Sequence, residues 1–343
     1  MVIYLNKYIL RSLTPFLIDN SAKPNKGVVI VRNDGIGDFL LFSGLLKRYS
    51  EHYTDISVIV NSCIQEMASL YLPQNNVITV DSRFNTDLSY RRSWLNNLRK
   101  RGFKTLISSI HRSSLGDDIA HFSGIPERIG YSGESLRGKE KSAREYTTVI
   151  KGLPSKIPYT HVIDHELNMF STITKQRVTR EEVEPYIPID TSTKDYFVLL
   201  PDCGNNKRTY DFETLLGLTL KATALKCIII SNKARDTIDN KRVIDLLGKT
   251  TISDAIKIIS KARFVIGGET GLTHAAWIMN KPTVMIYGGG HYGRFLPFKS
   301  ASVLTSNKND CFCCDWRCKY TDNKYPCISS ITEEQILEAI CEI

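Results

Sequence analysis

Four turns carry residue types that could bind or transfer charge, and each follows a predicted buried strand. The first runs from Arg32 to Asp38 and holds two carboxylates, Asp34 and Asp38. A glycine-rich turn between a strand and a helix lets a ligand approach free backbone N–H groups, and a carboxylate there can serve as a general base. The same carboxylates could instead cap the helix that we expect from Phe39 onward. The residues alone leave both interpretations open.

The second turn, residues 266–274, has the composition of a diphosphate site. It contains Glu269, Thr270 and Gly271 and leads into a predicted helix. A helix N-terminus carries partial positive charge and unpaired N–H donors, so it binds phosphate readily. We expect the donors to be the Thr270 hydroxyl and the first N–H groups of the helix, from Gly271 on. His274 lies one turn further, where a packed core histidine is the more ordinary interpretation.

Two further turns follow neighbouring predicted strands. Lys207 and Arg208 could neutralise phosphate charge, although a solvated basic loop is the alternative. The third glycine-rich turn, at 288–290, could close over the same ligand. Because adjacent parallel strands end at one edge of a sheet, we expect these turns to form a single site.

The elements that must position these turns alternate between short β-branched runs and helical patterns, which is typical of βαβ units and a parallel sheet. We predict strands at 28–32, 57–60, 77–80, 105–110, 196–200, 227–231, 264–268 and 283–287. We predict helices near 38–50, 64–72, 86–101, 161–176, 211–224, 253–261 and 271–280. Prolines 185 and 188 restrict their predecessors to extended backbone and mark a linker. The prediction is an extension at 1–26, then two doubly wound α/β domains at 27–185 and 186–343 that face a central cleft.

Length and composition exclude several classes of protein. The 343 residues fit two domains, and 42% hydrophobic with 24% charged residues exclude collagen-like and disordered chains. The net charge of +9 favours an anionic partner without choosing one. Neither an apolar run of about 18 residues nor a cleavable secretory leader is recognisable, so we expect a cytoplasmic protein.

The turn Gly35-Ile36-Gly37-Asp38, with the apolar run before it, resembles the pattern of glycosyltransferase family nine, the lipopolysaccharide heptosyltransferases. Residues 206–208 and 247–250 add to the likeness, and the most specific block is 268–276, followed by Pro282. The resemblance runs from about residue 28 to the C-terminus. It departs in two places, because the family usually has Asp at the position of Glu269 and a Trp-Pro pair at 209–210. These departures leave the donor sugar open.

The resemblance implies a GT-B enzyme whose first domain binds an acceptor and whose second binds a nucleotide sugar. It implies inverting transfer without a metal cofactor, with Asp38 as the catalytic base. It gives donor-binding roles to four residues, with two candidates beside them: Lys207, Thr270, Gly271 and His274, then Arg208 and Glu269. The implied donor is ADP-heptose-like, and the implied acceptor is a lipid-linked lipopolysaccharide or a surface polysaccharide; no nucleic acid partner is expected. A nucleotide-sugar epimerase and a non-catalytic binding protein for sugar nucleotides or polyanions are the rivals.

A cysteine cluster near the C-terminus, in the cysteine-rich segment 311–327, could form a structural staple. Its members are Cys311, Cys313, Cys314, Cys318 and Cys327. They offer enough thiolates for a tetrahedral zinc ion, although they do not form two C-x2-C pairs. Structural zinc, packed reduced thiols and redox-labile pairs are the alternatives. No role in catalysis is expected.

Both ends of the chain have helical patterns. At the N-terminus, apolar residues recur at helical spacing with two cations among the polar positions: Val2, Leu5, Ile9 and Leu13, then Lys7 and Arg11. Such a helix could lie on the inner face of the cytoplasmic membrane or pack against the first domain. The basic stretches 91–104 and 137–144 could also meet anionic groups, and 133–144 is expected to be a surface loop. The sequence from Thr332 to Gln335 predicts a capped C-terminal helix.

Overall fold

The computed structural model describes residues 9–16, 18, 27–110, 113–134, 140–141, 144–153, 160–233, 238–295, 302–306, 309–320 and 325–343. The chain divides into two compact units. The first consists of Met1–Gly35, Phe42–Lys156 and Ile163–Glu184, and the second of Ile36–Leu41, Ile157–Val162 and Pro185–Ile343. Asp38 therefore groups with the unit formed mainly by the C-terminal half of the chain.

The strands of the first unit are β1 (Val28–Arg32), β2 (Ile56–Asn61), β3 (Val77–Val80), β4 (Thr105–Ser108), β5 (Glu127–Glu134), β6 (Glu140–Lys141) and β7 (Thr148–Lys151). Its helices are α1 (Ile36–His52), α2 (Gln65–Ala68), α3 (Leu88–Lys100), α4 (Ser114–Phe122) and α5 (Val162–Thr174), of which α1 and α5 begin with residues of the second unit. Short 3-10 turns occupy Thr14–Phe16, Ser62–Ile64, Gln74–Asn76, Ser82–Asn85 and Glu181–Val183.

The first sheet is mostly parallel, with the order β3-β2-β1-β4-β5; β5 also pairs with β7 in parallel and with β6 in antiparallel orientation. Val28 pairs with Ile56 on one side and with Thr105 on the other. All five residues of β1 are buried, and a strand covered on both faces need not alternate. This explains the continuous apolar run Val28–Val31 that precedes Arg32. The strand order reverses between β1 and β4.

The strands of the second unit are β8 (Tyr196–Leu200), β9 (Lys226–Ser231), β10 (Val243–Leu247), β11 (Val265–Gly268), β12 (Thr283–Ile286) and β13 (Ser302–Leu304). Its helices are α6 (Phe212–Ala222), α7 (Ile252–Ile259), α8 (Gly271–Ile278), α9 (Pro326–Ser329) and α10 (Glu333–Cys341), with 3-10 turns at Asn206–Arg208 and Gly289–His291. The strands form one parallel sheet in the order β10-β9-β8-β11-β12-β13. Within each unit this is the doubly wound order, and here it reverses between β8 and β11.

Each sheet is covered by its own apolar core. The first core includes strand and helix residues Val29, Val31, Leu106, Leu95 and Ile119. The second includes Leu199, Ile266, Ile286, Leu215, Ile336 and Ile340. The last two belong to α10, so the C-terminal helix packs into the core of the second unit. Its predicted capping box is confirmed, because Thr332 and Gln335 bond each other's backbone.

The predicted α/β class is confirmed, while several element boundaries differ from the prediction. The helix expected over 64–72 is only the short α2, and α1 begins at Ile36 rather than Phe39. Residues 133–134 continue β5 and 140–141 form β6, so that part of the expected surface loop is strand; 135–139 and 142–143 lie outside the described residues. Elements that the sequence patterns did not predict are β5, β6, β7, β10, β13, α4 and α9.

Candidate functional site

The predicted phosphate-binding turns meet at the point of the second sheet where the strand order reverses. Lys207 and Arg208 lie in the 3-10 turn after β8, and Glu269 and Thr270 lie between β11 and α8. β8 and β11 are hydrogen-bonded neighbours, with Val198 opposite Val265. In open α/β sheets, ligands bind outside the carboxyl ends of the strands at such a switch point. The topology therefore brings the candidate cations to the same edge as the candidate helix N-terminus.

Thr270 organises the start of α8. It is the N-cap residue, and its Oγ1 accepts a hydrogen bond of 3.2 Å from the backbone N–H of Thr273. The two hydroxyl oxygens are 3.1 Å apart, and the Thr273 hydroxyl donates to the carbonyl of Gly268 at 2.8 Å. Because the Thr273 proton is used there, Thr270 is the donor in the hydroxyl pair. That proton can turn to an anion at the helix N-terminus, where the helix dipole also favours negative charge.

Glu269 is a buried carboxyl beside an arginine. Only 2% of the residue is exposed, and its Oε2 lies 3.6 Å from Nη1 of Arg208. Burial raises the pKa of Glu269 to about 7, although the Arg208 charge opposes that shift; the Asp38 charge raises the pKa further. Glu269 is therefore partly protonated near neutral pH. A carboxyl group held in this state repels an anionic ligand less than a full carboxylate does.

His274 is a neutral imidazole on the buried side of α8. Burial lowers its pKa to about 4, and the charges of Arg208 and His161 act in the same direction. Its Nδ1 is buried and has no hydrogen-bond partner among the described residues. An unpaired buried nitrogen is costly, so this atom can take a partner from a bound ligand. His161, which precedes α5 and groups with the second unit, has no signal in the sequence that marks it for this site.

The side chains of Lys207 and Arg208 both contact Trp316 of the cysteine-rich segment. Nζ of Lys207 donates a 3.0 Å hydrogen bond to the carbonyl of Trp316, and the Arg208 guanidinium lies 5.7 Å from the centre of the Trp316 ring. Trp316 has a positive φ of 58°, which an L-residue seldom adopts. Sequence reasoning missed Trp316 because nothing in its neighbours predicts this backbone conformation.

The turn that carries Asp38 contacts the start of α8. A β-carbon on Gly271 would lie 2.6 Å from Cβ of Ile36 and 2.9 Å from the backbone nitrogen of Gly37. A β-carbon on Gly37 would lie 3.3 Å from the His274 ring. All of these residues belong to the second unit, so glycine permits the two turns to approach backbone to backbone.

Asp38 is the third residue of α1 and not its N-cap. The N-cap position belongs to Gly35, which makes no side-chain capping bond. The helix therefore begins at Ile36 rather than at Phe39, and the alternative in which Asp38 is its N-cap is wrong. Asp38 still lies in the first turn, where the helix dipole stabilises a carboxylate.

The glycine-rich turn at 288–290 packs against aromatic rings of the cysteine-rich segment. A β-carbon on Gly290 would overlap the Trp316 ring, and one on Gly289 would overlap the Phe312 ring. His291, at the end of this turn, lies 3.0 Å from Oδ1 of Asp315. These glycines are needed for close packing of the cysteine-rich segment, and closure of the turn over a ligand stays a prediction.

The cysteine-rich segment contains free thiols. Cys313 and Cys327 are buried, whereas Cys311, Cys314 and Cys318 are partly exposed. Burial raises the pKa of all five thiols, which favours protonated sulfur. In the described ranges, no group of three or more His, Cys, Asp or Glu side chains is placed so that it could hold a metal ion. Zinc binding stays a prediction that metal analysis would test.

The described part of the predicted N-terminal helix is tied to the first unit. Leu10 is buried, and the Arg11 guanidinium donates a 2.7 Å hydrogen bond to Glu145. Ile9 and Leu13 are 49% and 43% exposed. Three predicted positions lie outside the described residues: Val2, Leu5 and Lys7. Within the described ranges, no helix has the length and apolar character needed to cross a bilayer.

The likeness to glycosyltransferase family nine is confirmed by the family model described as glycosyltransferase family 9 (heptosyltransferase), which matches residues 228–323. The matched segment contains the turns at Glu269–Gly271 and Gly288–Gly290 and most of the cysteine-rich segment. Asp38, Lys207 and Arg208 lie outside it. No curated protein sequence matches the chain.

Solved structures share the fold over nearly the whole chain. ADP-heptose lipopolysaccharide heptosyltransferase II of E. coli is 17% identical with a TM-score of 0.65, covering 93% of this chain and 98% of its own. A family 9 glycosyltransferase from Veillonella parvula is 15% identical with a TM-score of 0.68, covering 93% and 98%. The E. coli heptosyltransferase WaaC, solved with ADP, is 14% identical with a TM-score of 0.62, covering 92% and 97%. The predicted GT-B fold class is thereby confirmed.

Proposed function

We propose that the protein is an inverting glycosyltransferase that moves a heptose-like sugar from an ADP-linked donor to a lipopolysaccharide or surface-polysaccharide acceptor. The observation that carries this proposal is the contact between the turn of Asp38 and the start of α8. It sets a carboxylate close enough to Glu269 for the two charges to interact, beside a helix N-terminus suited to a diphosphate. The E. coli enzyme of the same fold was solved with ADP, which supports the choice of nucleotide.

In the proposed reaction, Asp38 is the general base. Its carboxylate removes the proton of an acceptor hydroxyl as that oxygen attacks the anomeric carbon of the donor sugar. The new carbon–oxygen bond forms on the face opposite the diphosphate. The bond from the anomeric carbon to the phosphate oxygen breaks with its electron pair leaving on the diphosphate, so the anomeric configuration inverts.

The departing diphosphate needs stabilisation of its growing negative charge. We assign this role to the Thr270 hydroxyl, the N–H groups from Gly271 on, and the cations Lys207 and Arg208. His274 adds a neutral ring whose Nδ1 is available to a ligand. Because these groups already supply donors and positive charge, we propose that transfer needs no metal cofactor.

The rival functions differ in their products. We would incubate the purified protein with ADP-heptose and a heptose-deficient lipopolysaccharide, then analyse the acceptor by mass spectrometry and the new linkage by NMR. A glycosylated acceptor with inverted linkage supports the proposal. An altered free nucleotide sugar would identify an epimerase, and binding without turnover would identify a binding protein. Thermal stabilisation by a panel of nucleotide sugars would identify the donor if ADP-heptose is inactive.

Metal independence and the state of the thiols are tested together. We expect full transfer activity after chelator treatment while the protein stays folded, with metal content measured on the same sample. Activity that magnesium alone restores would contradict a metal-free reaction. Zinc bound in stoichiometric amount would show that the cysteine-rich segment binds metal in solution.

A lipid-linked acceptor would bring the enzyme to the inner face of the cytoplasmic membrane, and we propose a cytoplasmic location beside it. The exposed apolar side chains of Ile9 and Leu13 could contact lipid there. Sedimentation with anionic vesicles at low and high salt, with and without residues 1–20, tests this location. Binding that neither salt nor the deletion changes would contradict a role for the N-terminal segment.

A further inference from the structure

A buried ion-pair cluster lies at the end of β1. Arg32, the last residue of the strand, is only 1% exposed. Its Nη2 lies 2.6 Å from Oδ2 of Asp34, and its Nη1 donates to a carboxylate oxygen of Glu166. Nη1 also lies 3.2 Å from the hydroxyl of Ser109. One guanidinium thus pairs with the buried carboxylate of Glu166 and with the partly buried carboxylate of Asp34. Such an arrangement is stable only when geometry and hydrogen bonding are good.

The guanidinium contacts the chain on both sides of Asp38. Asp34 lies four residues before Asp38, and Phe42 lies four residues after it. The Arg32 guanidinium carbon is 4.6 Å from the centre of the Phe42 ring. Because α1 is a continuous helix from Ile36, fixing the chain before and after Asp38 limits the orientations that its carboxylate can take.

Glu166 anchors this arrangement to a second helix. It lies on α5 and is 3% exposed. The same two helices also pack through Tyr49 of α1 and Phe170 of α5, whose rings meet edge to face at 4.9 Å. The cluster therefore ties Asp34 in the turn after β1, Phe42 of α1 and Glu166 of α5 to one guanidinium.

We propose that Arg32 and Glu166 are positioning residues that hold the carboxylate of Asp38 in the orientation needed for proton removal. This inference rests on the proposed role of Asp38 as the general base. Neither side chain needs to touch the donor or the acceptor. Loss of the pair is therefore expected to slow the chemical step while nucleotide binding persists.

A second buried ion pair in the first unit provides a matched control. Arg91 and Asp118 are 0% and 1% exposed, with Nη2 and Oδ2 3.2 Å apart. The Arg91 guanidinium also packs over the Phe84 ring at 4.6 Å. These residues lie on α3 and α4, and neither belongs to the turn of Asp38 or to α1.

The experiment compares Glu166→Gln, Asp118→Asn and Asp38→Asn with the wild type. We would measure kcat and donor KM with ADP-heptose and heptose-deficient lipopolysaccharide, ADP affinity by calorimetry, and melting temperature. Glu166→Gln is expected to lower kcat about tenfold, or about 1.4 kcal/mol, with donor KM and ADP affinity changed less than about twofold. Asp118→Asn is expected to lower the melting temperature without changing kcat more than about twofold.

If Glu166→Gln does not fold, Arg32→Lys keeps the positive charge while losing the planar fork that binds two carboxylates, and the same result is expected. The inference is overturned if either variant keeps wild-type kcat while Asp38→Asn is inactive. It is also overturned if Asp118→Asn loses as much kcat as Glu166→Gln. An active Asp38→Asn would instead overturn the proposed function itself.

Discussion

Burial keeps two ionisable side chains of the candidate site close to their neutral forms. The pKa of Glu269 is raised to about 7 and that of His274 is lowered to about 4, in each case mainly because burial disfavours the charged form. Near neutral pH, His274 is uncharged and Glu269 carries only part of its negative charge. The positive charge of Lys207 and Arg208 is then opposed less, which suits a site for a diphosphate.

The two shifted pKa values have opposite effects on stability. Between about pH 4.5 and 7, the folded protein keeps a proton on Glu269 that the unfolded chain has lost, so the free energy of unfolding falls by about 3 kcal/mol as pH rises. Between about pH 4 and 6.5, the unfolded chain binds a proton on His274 that the folded protein does not bind. The free energy of unfolding then rises by about 3 kcal/mol as pH rises.

In the wild type these two contributions nearly cancel, and single substitutions should separate them. Relative to the wild type, Glu269→Gln should lose stability on acidification from about pH 7 to 4.5, and His274→Gln should lose stability as pH rises from about 4 to 6.5. Urea denaturation of the three proteins across this range provides the measurement. Glu338→Gln, an exposed substitution on α10, serves as the control. If the free energy of unfolding of both variants changes with pH in parallel with that of the wild type, the shifted pKa values of Glu269 and His274 are contradicted.

At the scale of elements, two helices begin with the same kind of cap in different surroundings. Thr270 caps α8 at the candidate phosphate site, and Thr332 caps α10 with a complete capping box. The side chain of each accepts a hydrogen bond from a backbone N–H of the first turn. The pair therefore separates what a cap contributes to stability from what the Thr270 hydroxyl contributes to ligand binding.

Thr270→Ala and Thr332→Ala should each destabilise the protein by about 1 kcal/mol, since each removes one N-cap bond. Only Thr270→Ala should weaken ADP binding, by about tenfold, because it also removes a donor to a charged ligand. Calorimetry with ADP and thermal melting of both variants measure the two effects. Equal ADP affinity in both variants would remove Thr270 from the phosphate site.

Replacing either of two helical glycines by alanine is expected to change the free energy of unfolding, with opposite sign at the two positions. A β-carbon on Gly44 of α1 would overlap the carbonyl oxygen of Val183, whereas a β-carbon on Gly217 of α6 would meet no atom of the described residues within 4 Å. Gly44→Ala should therefore destabilise by about 1–3 kcal/mol, and Gly217→Ala should stabilise by about 0.5–1 kcal/mol because alanine loses less backbone entropy. Denaturant unfolding of both variants provides the measurement. A shift of the same sign in both would contradict the close packing of α1 on Val183.

At the scale of the whole molecule, the strands that lead into the candidate site are predictable from sequence. β1, β8, β11 and β12 are continuous apolar runs, and the predicted boundaries agree within one residue because full burial imposes that composition. β10 and β13, which the sequence patterns did not predict, are more exposed than these four strands. β10 and β13 lie at the edges of the second sheet and consist mostly of partly exposed residues, so their periodicity is weak.

The sequence also identifies most residues of the candidate site by their type and position after a strand. It does not identify which of these residues contact each other. The approach of Gly37 to Gly271 joins distant parts of the sequence, and no local pattern encodes it. The pairing of Arg32 with Glu166 is equally non-local. Trp316 is missed for a different reason, since its role depends on a left-handed backbone that its neighbours do not predict.

Asp38→Asn removes the proposed general base and leaves the nucleotide-binding groups in place, so its rate of sugar transfer shows whether Asp38 acts in catalysis. The measurement uses saturating ADP-heptose and a heptose-deficient lipopolysaccharide, with ADP affinity determined on the same preparation. Glu334→Gln, which changes a carboxylate in the first turn of α10, is the control for loss of a favourable helix-dipole contact. We predict that Asp38→Asn lowers kcat at least about a hundredfold, as loss of a general base does, while ADP affinity changes less than about twofold. A variant that keeps more than about a tenth of the wild-type kcat would contradict the account and leave Asp38 a helix-stabilising carboxylate.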